Sequence, residues 1–221
     1  MQNQSTVKIK EIFTSIQGEG TYVGEKQTFV RFCKCNLACK YCDTDFSAGV
    51  EYSSFDLAQK LKQETAQTIS FTGGEPLCEK EFLKKFLSQY KKELNKKIYL
   101  ETNGTLFEEL KEIIEFVDVV SMDIKLKSAT GQENRFLDNE KFLEIASKKE
   151  ALLKIVFDEN IKNEEIDEVI KIAKKYNSLI VLQPKMPINS EVELDKIFDL
   201  FYQKYQNIRL IPQTHKFLNL A

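Results

Sequence analysis

Thr28-Phe29-Val30-Arg31-Phe32-Cys33-Lys34-Cys35-Asn36-Leu37-Ala38-Cys39-Lys40-Tyr41-Cys42 carries a β-branched and aromatic run directly into a loop with closely spaced thiols. Thr28 to Phe32 reads as a strand. The spacing Cys35-x3-Cys39-x2-Cys42 behind it lets one short loop curl three thiolates around a single centre. With Cys33, four of the five cysteines fall within ten positions, and only Cys78 stands apart. That distribution suits stapling a fold poorly and, in a reducing compartment, favours metal ligation over disulfides. Iron-sulfur clusters take thiolate ligands, normally four. Three on a four-iron cluster leave one iron open to a small molecule. The alternative is a fourth thiolate from Cys33, giving a closed cluster or a zinc-stabilised binding module. Cys33 shares strand parity with Arg31 and reads as a small buried residue. Cys78 reads as structural. The single histidine, His215, removes the common mixed Cys/His zinc patterns.

Outward from this stretch, short apolar runs alternate with segments of helical period almost to the C-terminus. The runs are Thr28 to Phe32, Thr68 to Thr72, Ile98 to Glu101, Val117 to Lys125, Ala151 to Phe157 and Leu179 to Gln183. Between them lie Phe55-Leu57-Ala58-Leu61, Phe82-Leu83-Phe86-Leu87-Tyr90, Leu110-Ile113-Ile114 and Ile166-Val169-Ile170-Ala173, at 3.6 spacing. Ser53 and Ser54 are placed to cap the first helix. Such alternation predicts right-handed βαβ crossovers and a parallel sheet. About six β/α units are too few for a closed eight-unit barrel, so the expected α/β fold is an incomplete TIM-type barrel or a doubly wound sheet. In either, ligands sit at the carboxyl ends of the strands.

The 221 residues, 42% of them hydrophobic, fit one domain with one substantial core. With no Pro/Gly-rich linker in the chain, no internal boundary is placed. The charged residues, 32 basic and 34 acidic, nearly cancel. Bulk charge therefore predicts no direct nucleic-acid partner. Met1 to Lys10 has no signal-peptide core, and no stretch is long and apolar enough to span a bilayer. A soluble cytoplasmic protein with no membrane partner is expected.

Cys35 to Cys42, with Tyr41 as the aromatic, resembles the CxxxCxΦC loop of the radical S-adenosylmethionine superfamily. The partial-barrel reading follows from that likeness. Thr72-Gly73-Gly74-Glu75-Pro76, one unit later, resembles the superfamily's GGEP motif. The resemblance implies a [4Fe-4S] cluster on Cys35, Cys39 and Cys42. The open iron would bind the amino and carboxylate groups of S-adenosylmethionine, and reductive cleavage would yield a hydrogen-abstracting 5′-deoxyadenosyl radical. It also implies cofactor contacts from Tyr41, Cys42, Asp43, Gly74 and Glu75, and from the strand ends bearing Ser121, Asp123, Lys125 and Gln183. Lys34 stands where a glycine commonly precedes the first ligand, which bears on the loop's backbone freedom. Tyr41 replaces the more usual tryptophan.

Ile12-Phe13-Thr14-Ser15-Ile16-Gln17-Gly18-Glu19-Gly20, taken with Arg31, Cys42-Asp43-Thr44 and Gln213-Thr214-His215-Lys216, is similar to the 7-carboxy-7-deazaguanine synthase family in motif order along essentially the whole chain. That family rearranges 6-carboxy-5,6,7,8-tetrahydropterin with loss of ammonia on the way to queuosine and other deazapurines. The resemblance implies a radical core domain over residues 1–221, with an N-terminal substrate-loop extension and a short C-terminal tail. Substrate contacts would come from Ile16, Gln17, Gly18, Arg31 and Thr72, and Thr44 would be an oxygen ligand to Mg2+. An arginine fork suits a carboxylate. Mg2+ takes few protein ligands and fills its shell with water and substrate oxygen. The same resemblance implies an electron donor such as flavodoxin or ferredoxin, and a homodimer. A glycyl-radical-enzyme activase shares the cysteine spacing; Gln17 to Gly20 and Thr44 argue against it. His215 is given no role.

Overall fold

A computed structural model describes residues 6–42 and 48–220. The chain opens with two long strands, β1 (Thr6–Ile16) and β2 (Lys26–Phe32), joined as an antiparallel hairpin, and β3 (Val50–Ser53) pairs with the outer side of β1. Strands and helices then alternate through α1 (Ser54–Gln63), β4 (Thr68–Gly73), α2 (Lys80–Leu94), β5 (Lys97–Thr102), α3 (Phe107–Ile113), β6 (Val119–Ile124), α4 (Lys127–Thr130), α5 (Phe136–Ala146) and β7 (Glu150–Phe157). The series ends with α6 (Asn163–Tyr176), β8 (Leu179–Pro184), α7 (Leu194–Tyr202), β9 (Ile208–Leu210) and α8 (Thr214–Leu218).

These strands form one sheet in the order β3-β1-β2-β4-β5-β6-β7-β8-β9. From β2 through β4 to β9 every neighbouring pair is parallel. β3 and β9 are the sheet's two edges, so the barrel is incomplete, as expected from the number of units. The six sequence-predicted runs coincide with β2 and β4 to β8. Three strands were not anticipated: β1, which lies in the expected N-terminal substrate-loop extension, and the short β3 and β9.

Period-2 alternation gives the sheet two different faces. Val30, Ile69, Phe71, Ile98, Leu100, Met122, Leu153, Ile155, Ile180 and Leu182 join the core beneath the helices. Helix α2 answers with Phe82, Leu83, Phe86 and Leu87. Complete burial of one such side chain, Phe86, contributes about 2 kcal/mol. Helix α1 begins at Ser53, whose hydroxyl accepts from Asp56 N at 3.2 Å. Helices α2 and α6 end on Asn95 and Asn177 in the left-handed conformation. At the alternate positions, Gln27, Ser70, Thr72, Glu101, Ser121, Asp123, Lys154 and Gln183 are polar and buried or half-buried. Such groups must find partners inside the barrel or meet a ligand there.

Candidate active site

A cavity of about 210 Å³ lies where these polar positions reach the strand ends. Its wall includes Arg31 from β2, Thr72 and Gly73 from β4, Glu101 from β5, Ser121 and Asp123 from β6, Lys154 from β7 and Gln183 from β8. The loop after β2 closes one side with Cys35, Cys39, Tyr41 and Cys42.

The cysteine loop is pinned to the turn after α4. Lys40 N donates to Thr130 O at 3.0 Å, and Gln132 Nε2 donates to Ala38 O at 2.9 Å. Gly131, at φ +73°, lets Lys40 lie across the turn, because a Cβ there would stand 2.5 Å from Lys40 Cε. None of the five cysteines forms a disulfide. Burial pushes the Cys35 and Cys39 thiols above the ordinary cysteine value. Among the described residues, no three cysteine, histidine or carboxylate groups draw together closely enough for one metal ion. Three thiols around one cavity wall suit a group larger than a single ion, and the soft donor set fits an iron-sulfur cluster. Cys33 does not share this wall: its Sγ donates to Ala48 O at 3.6 Å and lies against Gly49. A four-thiolate zinc site therefore lacks its fourth ligand. Among the described residues, positive φ outside glycine occurs only at three asparagines, so Lys34 is accommodated without left-handed backbone.

Gly73 adopts φ +107°, and a Cβ on it would stand 2.5 Å from Arg31 Cγ and from Phe32 N. Only glycine fits between strands this close. The next two residues turn toward β2, with Gly74 N donating to Phe32 O (3.0 Å) and Glu75 N to Lys34 O (2.7 Å). The Glu75 carboxylate lies below the cavity, fully buried. It accepts from Leu77 N (3.1 Å), Thr102 Oγ1 (2.9 Å) and Asn103 N (2.7 Å). Burial raises its pKa to about 7 in spite of these donors.

A ladder of alternating charge crosses the cavity floor. Lys125 Nζ donates to Tyr41 Oη (3.2 Å) and Asp123 Oδ2 (2.9 Å), and Lys154 Nζ lies 3.1 Å from the same Asp123 oxygen. Lys154 also pairs with Glu19, whose other oxygen accepts from Gln213 Nε2 at 2.8 Å. Burial opposes the charge on Lys125 and Lys154, but the neighbouring carboxylates hold both ammonium groups above the ordinary lysine value. Burial likewise opposes ionisation of Glu19, and Lys154 and Gln213 hold it below the ordinary carboxylate range. Burial pushes Tyr41 up to about 12. Polar atoms without partners remain here: both amide atoms of Gln183, a residue of zero exposure, and, on the ladder itself, Asp123 Oδ1. Unpaired groups buried on a cavity wall are positioned to bind a polar ligand.

Of the residues expected at the site, Arg31, Cys35, Cys39, Tyr41, Cys42, Thr72, Gly74, Ser121, Asp123, Lys125 and Gln183 share the cavity wall. Ile16, Gln17, Gly18 and Glu75 do not. Gln17 is buried behind the wall, donating to Glu101 Oε1 at 2.8 Å; Thr72 donates to the other Glu101 oxygen at 2.8 Å. Gly18 carries the C-terminal tail: Thr214 N donates to its carbonyl at 2.9 Å, and His215 fills the space where a Cβ would stand. Arg31 is held by Glu11 at 2.7 Å. Asp43 and Thr44 lie outside the described residues. Lys154 was not anticipated; Glu19 and Gln213 lie in the segments that carry the family resemblance and Glu101 ends a predicted strand run, but none of the three was given a role of its own. The available signal was Lys154, a lone charge inside an apolar run.

Residues 16–142 match the family described as a 4Fe-4S single cluster domain. A 7-carboxy-7-deazaguanine synthase of Geobacter sulfurreducens is 33% identical over 96% of this chain and 96% of its own length. One of Thermoplasma acidophilum is 33% identical over 95% of this chain and 96% of its own. Among solved structures, QueE from Escherichia coli aligns at a TM-score of 0.68 over 95% of both chains, with 21% identity. SuiB of Streptococcus suis aligns at 0.55 over 80% of this chain and 46% of its own, with 15% identity, a likeness of fold.

Proposed function

The chain belongs to the 7-carboxy-7-deazaguanine synthase family of radical S-adenosylmethionine enzymes, and from that membership we propose that it converts 6-carboxy-5,6,7,8-tetrahydropterin to 7-carboxy-7-deazaguanine with loss of ammonia. One observation carries the reading: three thiols and the unpaired Gln183 and Asp123 atoms face one strand-end cavity. Cys35, Cys39 and Cys42 would hold the [4Fe-4S] cluster. With S-adenosylmethionine bound, that cluster supplies the reductive cleavage from which hydrogen abstraction begins.

The chain's own residues bind, orient and exclude water. Tyr41, Cys42, Asp43 and the Gly74-Glu75 backbone would line the amino-acid end of S-adenosylmethionine. Ser121, Asp123, Lys125 and Gln183 would receive the nucleoside end, where the unpaired amide and carboxylate oxygen gain partners. Arg31 would meet the substrate carboxylate through its planar fork, with Thr72 and the Ile16 to Gly18 backbone beside it. Thr44 would offer one oxygen to Mg2+, with substrate and water completing the shell. The chain would work as one core domain with an N-terminal extension and a C-terminal tail, as a cytoplasmic homodimer reduced by flavodoxin or ferredoxin. Among the described residues, no helix is long and apolar enough to cross a membrane.

Anaerobically reconstituted protein should be brown, carry about four irons per chain, and form the deazapurine from S-adenosylmethionine, reductant and carboxypterin. An iron-loaded protein that cleaves S-adenosylmethionine yet leaves the pterin untouched would overturn the substrate. A colourless zinc protein would overturn the whole reading.

A further inference from the structure

The cysteine loop has no regular secondary structure between Phe32 and the end of its described residues at Cys42, so its three thiols depend on tertiary contacts, backbone and side-chain, for their placement. Asn36 meets the segment that follows β5. Asn103 Nδ2 donates to Asn36 Oδ1 at 2.8 Å, Asn36 Nδ2 donates to Thr105 Oγ1 at 2.9 Å, and Thr105 Oγ1 donates to Asn103 Oδ1 at 2.6 Å. Each side chain gives one hydrogen bond and receives one, so the three close a ring. Asn103 and Thr105 are 5% and 6% exposed. The ring is also fixed from below: Asn139 Nδ2, itself buried, donates to the carbonyls of Gly104 (2.8 Å) and Asn103 (3.3 Å), and Asn103 N donates to Glu75. Immediately after Asn36, Leu37 N–H donates to Cys35 Sγ at 3.5 Å.

We propose that Asn36, Asn103 and Thr105 form a positioning lock for the cluster loop, holding Leu37 N–H on the sulfur of Cys35 and thereby setting cluster retention and reduction potential. The inference rests on the cluster reading above. Hydrogen bonds to ligand sulfurs are among the terms that set cluster potentials, because they stabilise the more negative, reduced state. Groups that orient metal ligands commonly change affinity by about 10- to 100-fold when removed. None of the three lock residues is itself a ligand.

The test uses reconstituted holoprotein and two measurements that need no turnover: the rate of iron release to a ferrous chelator, and the midpoint potential from a redox titration followed by electron paramagnetic resonance. Thr105→Val keeps the side-chain shape, but its side chain can neither donate to Asn103 nor accept from Asn36, leaving only the backbone N–H of residue 105 on Asn103 Oδ1. It should release iron about tenfold faster and titrate at a more negative potential. Thr105→Ser, which keeps the hydroxyl, should stay close to the parent on both. Asn36→Ala, at an exposed position, should reproduce Thr105→Val and carries the test if the buried variant fails to fold. Parent-like release and potential in Asn36→Ala and in folded Thr105→Val would overturn the lock alone. A parent that assembles no cluster would overturn the reading beneath it as well.

Discussion

Glu75 shows how strongly one residue's surroundings can redirect its chemistry. The GGEP resemblance assigns it to the cofactor, but its carboxylate is fully buried and joins the start of the segment after β4 to the end of β5. Its pKa is about 7 against an ordinary 4.5, chiefly through burial. The folded protein thus binds this proton more tightly than the unfolded chain. The resulting stability is fully present below about pH 4.5 and is lost as pH rises through about 7, at a cost of about 3 kcal/mol when ionised. Urea unfolding of the cluster-free protein should show this loss between those limits. In Glu75→Gln, which cannot ionise, stability should change less over that interval, although an amide turned toward two N–H donors lowers it overall. Parallel pH profiles for parent and variant would refute the assignment. Thr44 is the opposite case, a residue whose proposed role rests on one oxygen. Thr44→Ala should weaken the Mg2+ response of turnover while cluster assembly and S-adenosylmethionine binding persist, and Thr44→Ser should retain more of that response. Full magnesium dependence in Thr44→Ala would remove Thr44 from the ligand set.

Elements were legible where local pattern and final environment agree. β4 to β8 are flanked by helices, and their apolar runs and the intervening 3.6 periods mark them unambiguously. β1 was not recognised because Lys8, Lys10 and Glu11 interrupt its apolar residues. Val7 and Ile9 are buried, but the neighbouring positions face outward on a strand held by antiparallel pairing to β2 and β3. β3 and β9, at four and three residues, are too short for periodicity to register. The same division applies to the site. The cysteine loop is local, so its spacing exposes a metal-ligating site, and its resemblance to a known loop supplies the chemistry. Gln17 and Gly18 were legible as a special loop, but their geometry depends on Glu101 and on His215, residues that no spacing rule joins to them. Glu19 and Gln213 meet only because the tail folds back over the first hairpin.

At the scale of the whole molecule, Lys154 ties these separate segments together. Its side chain is 9% exposed, and its ammonium sits between Glu19 of the N-terminal loop and Asp123 of β6. Glu19 extends the connection to the tail through Gln213, and Asp123 extends it to the cysteine loop through Lys125 and Tyr41. The polar floor of the barrel is therefore stable only while its charges alternate. Lys154→Met keeps most of the aliphatic volume but leaves two buried carboxylates short of a cation. Breaking one partner out of such a buried network costs about 3–5 kcal/mol, far more than an exposed ion pair, which is worth about 0–1 kcal/mol. If the loss comes from uncompensated charge, neutralising one carboxylate should recover part of it. Glu19→Gln combined with Lys154→Met should thus be more stable than the sum of the single variants, with a coupling of about 0.5–3 kcal/mol in a double-mutant cycle. Urea unfolding of the parent, both single variants and the double variant gives that coupling directly. Additive losses would mean that Lys154 contributes through packing alone and that the N-terminal loop, the strand ends and the tail are held together by other contacts.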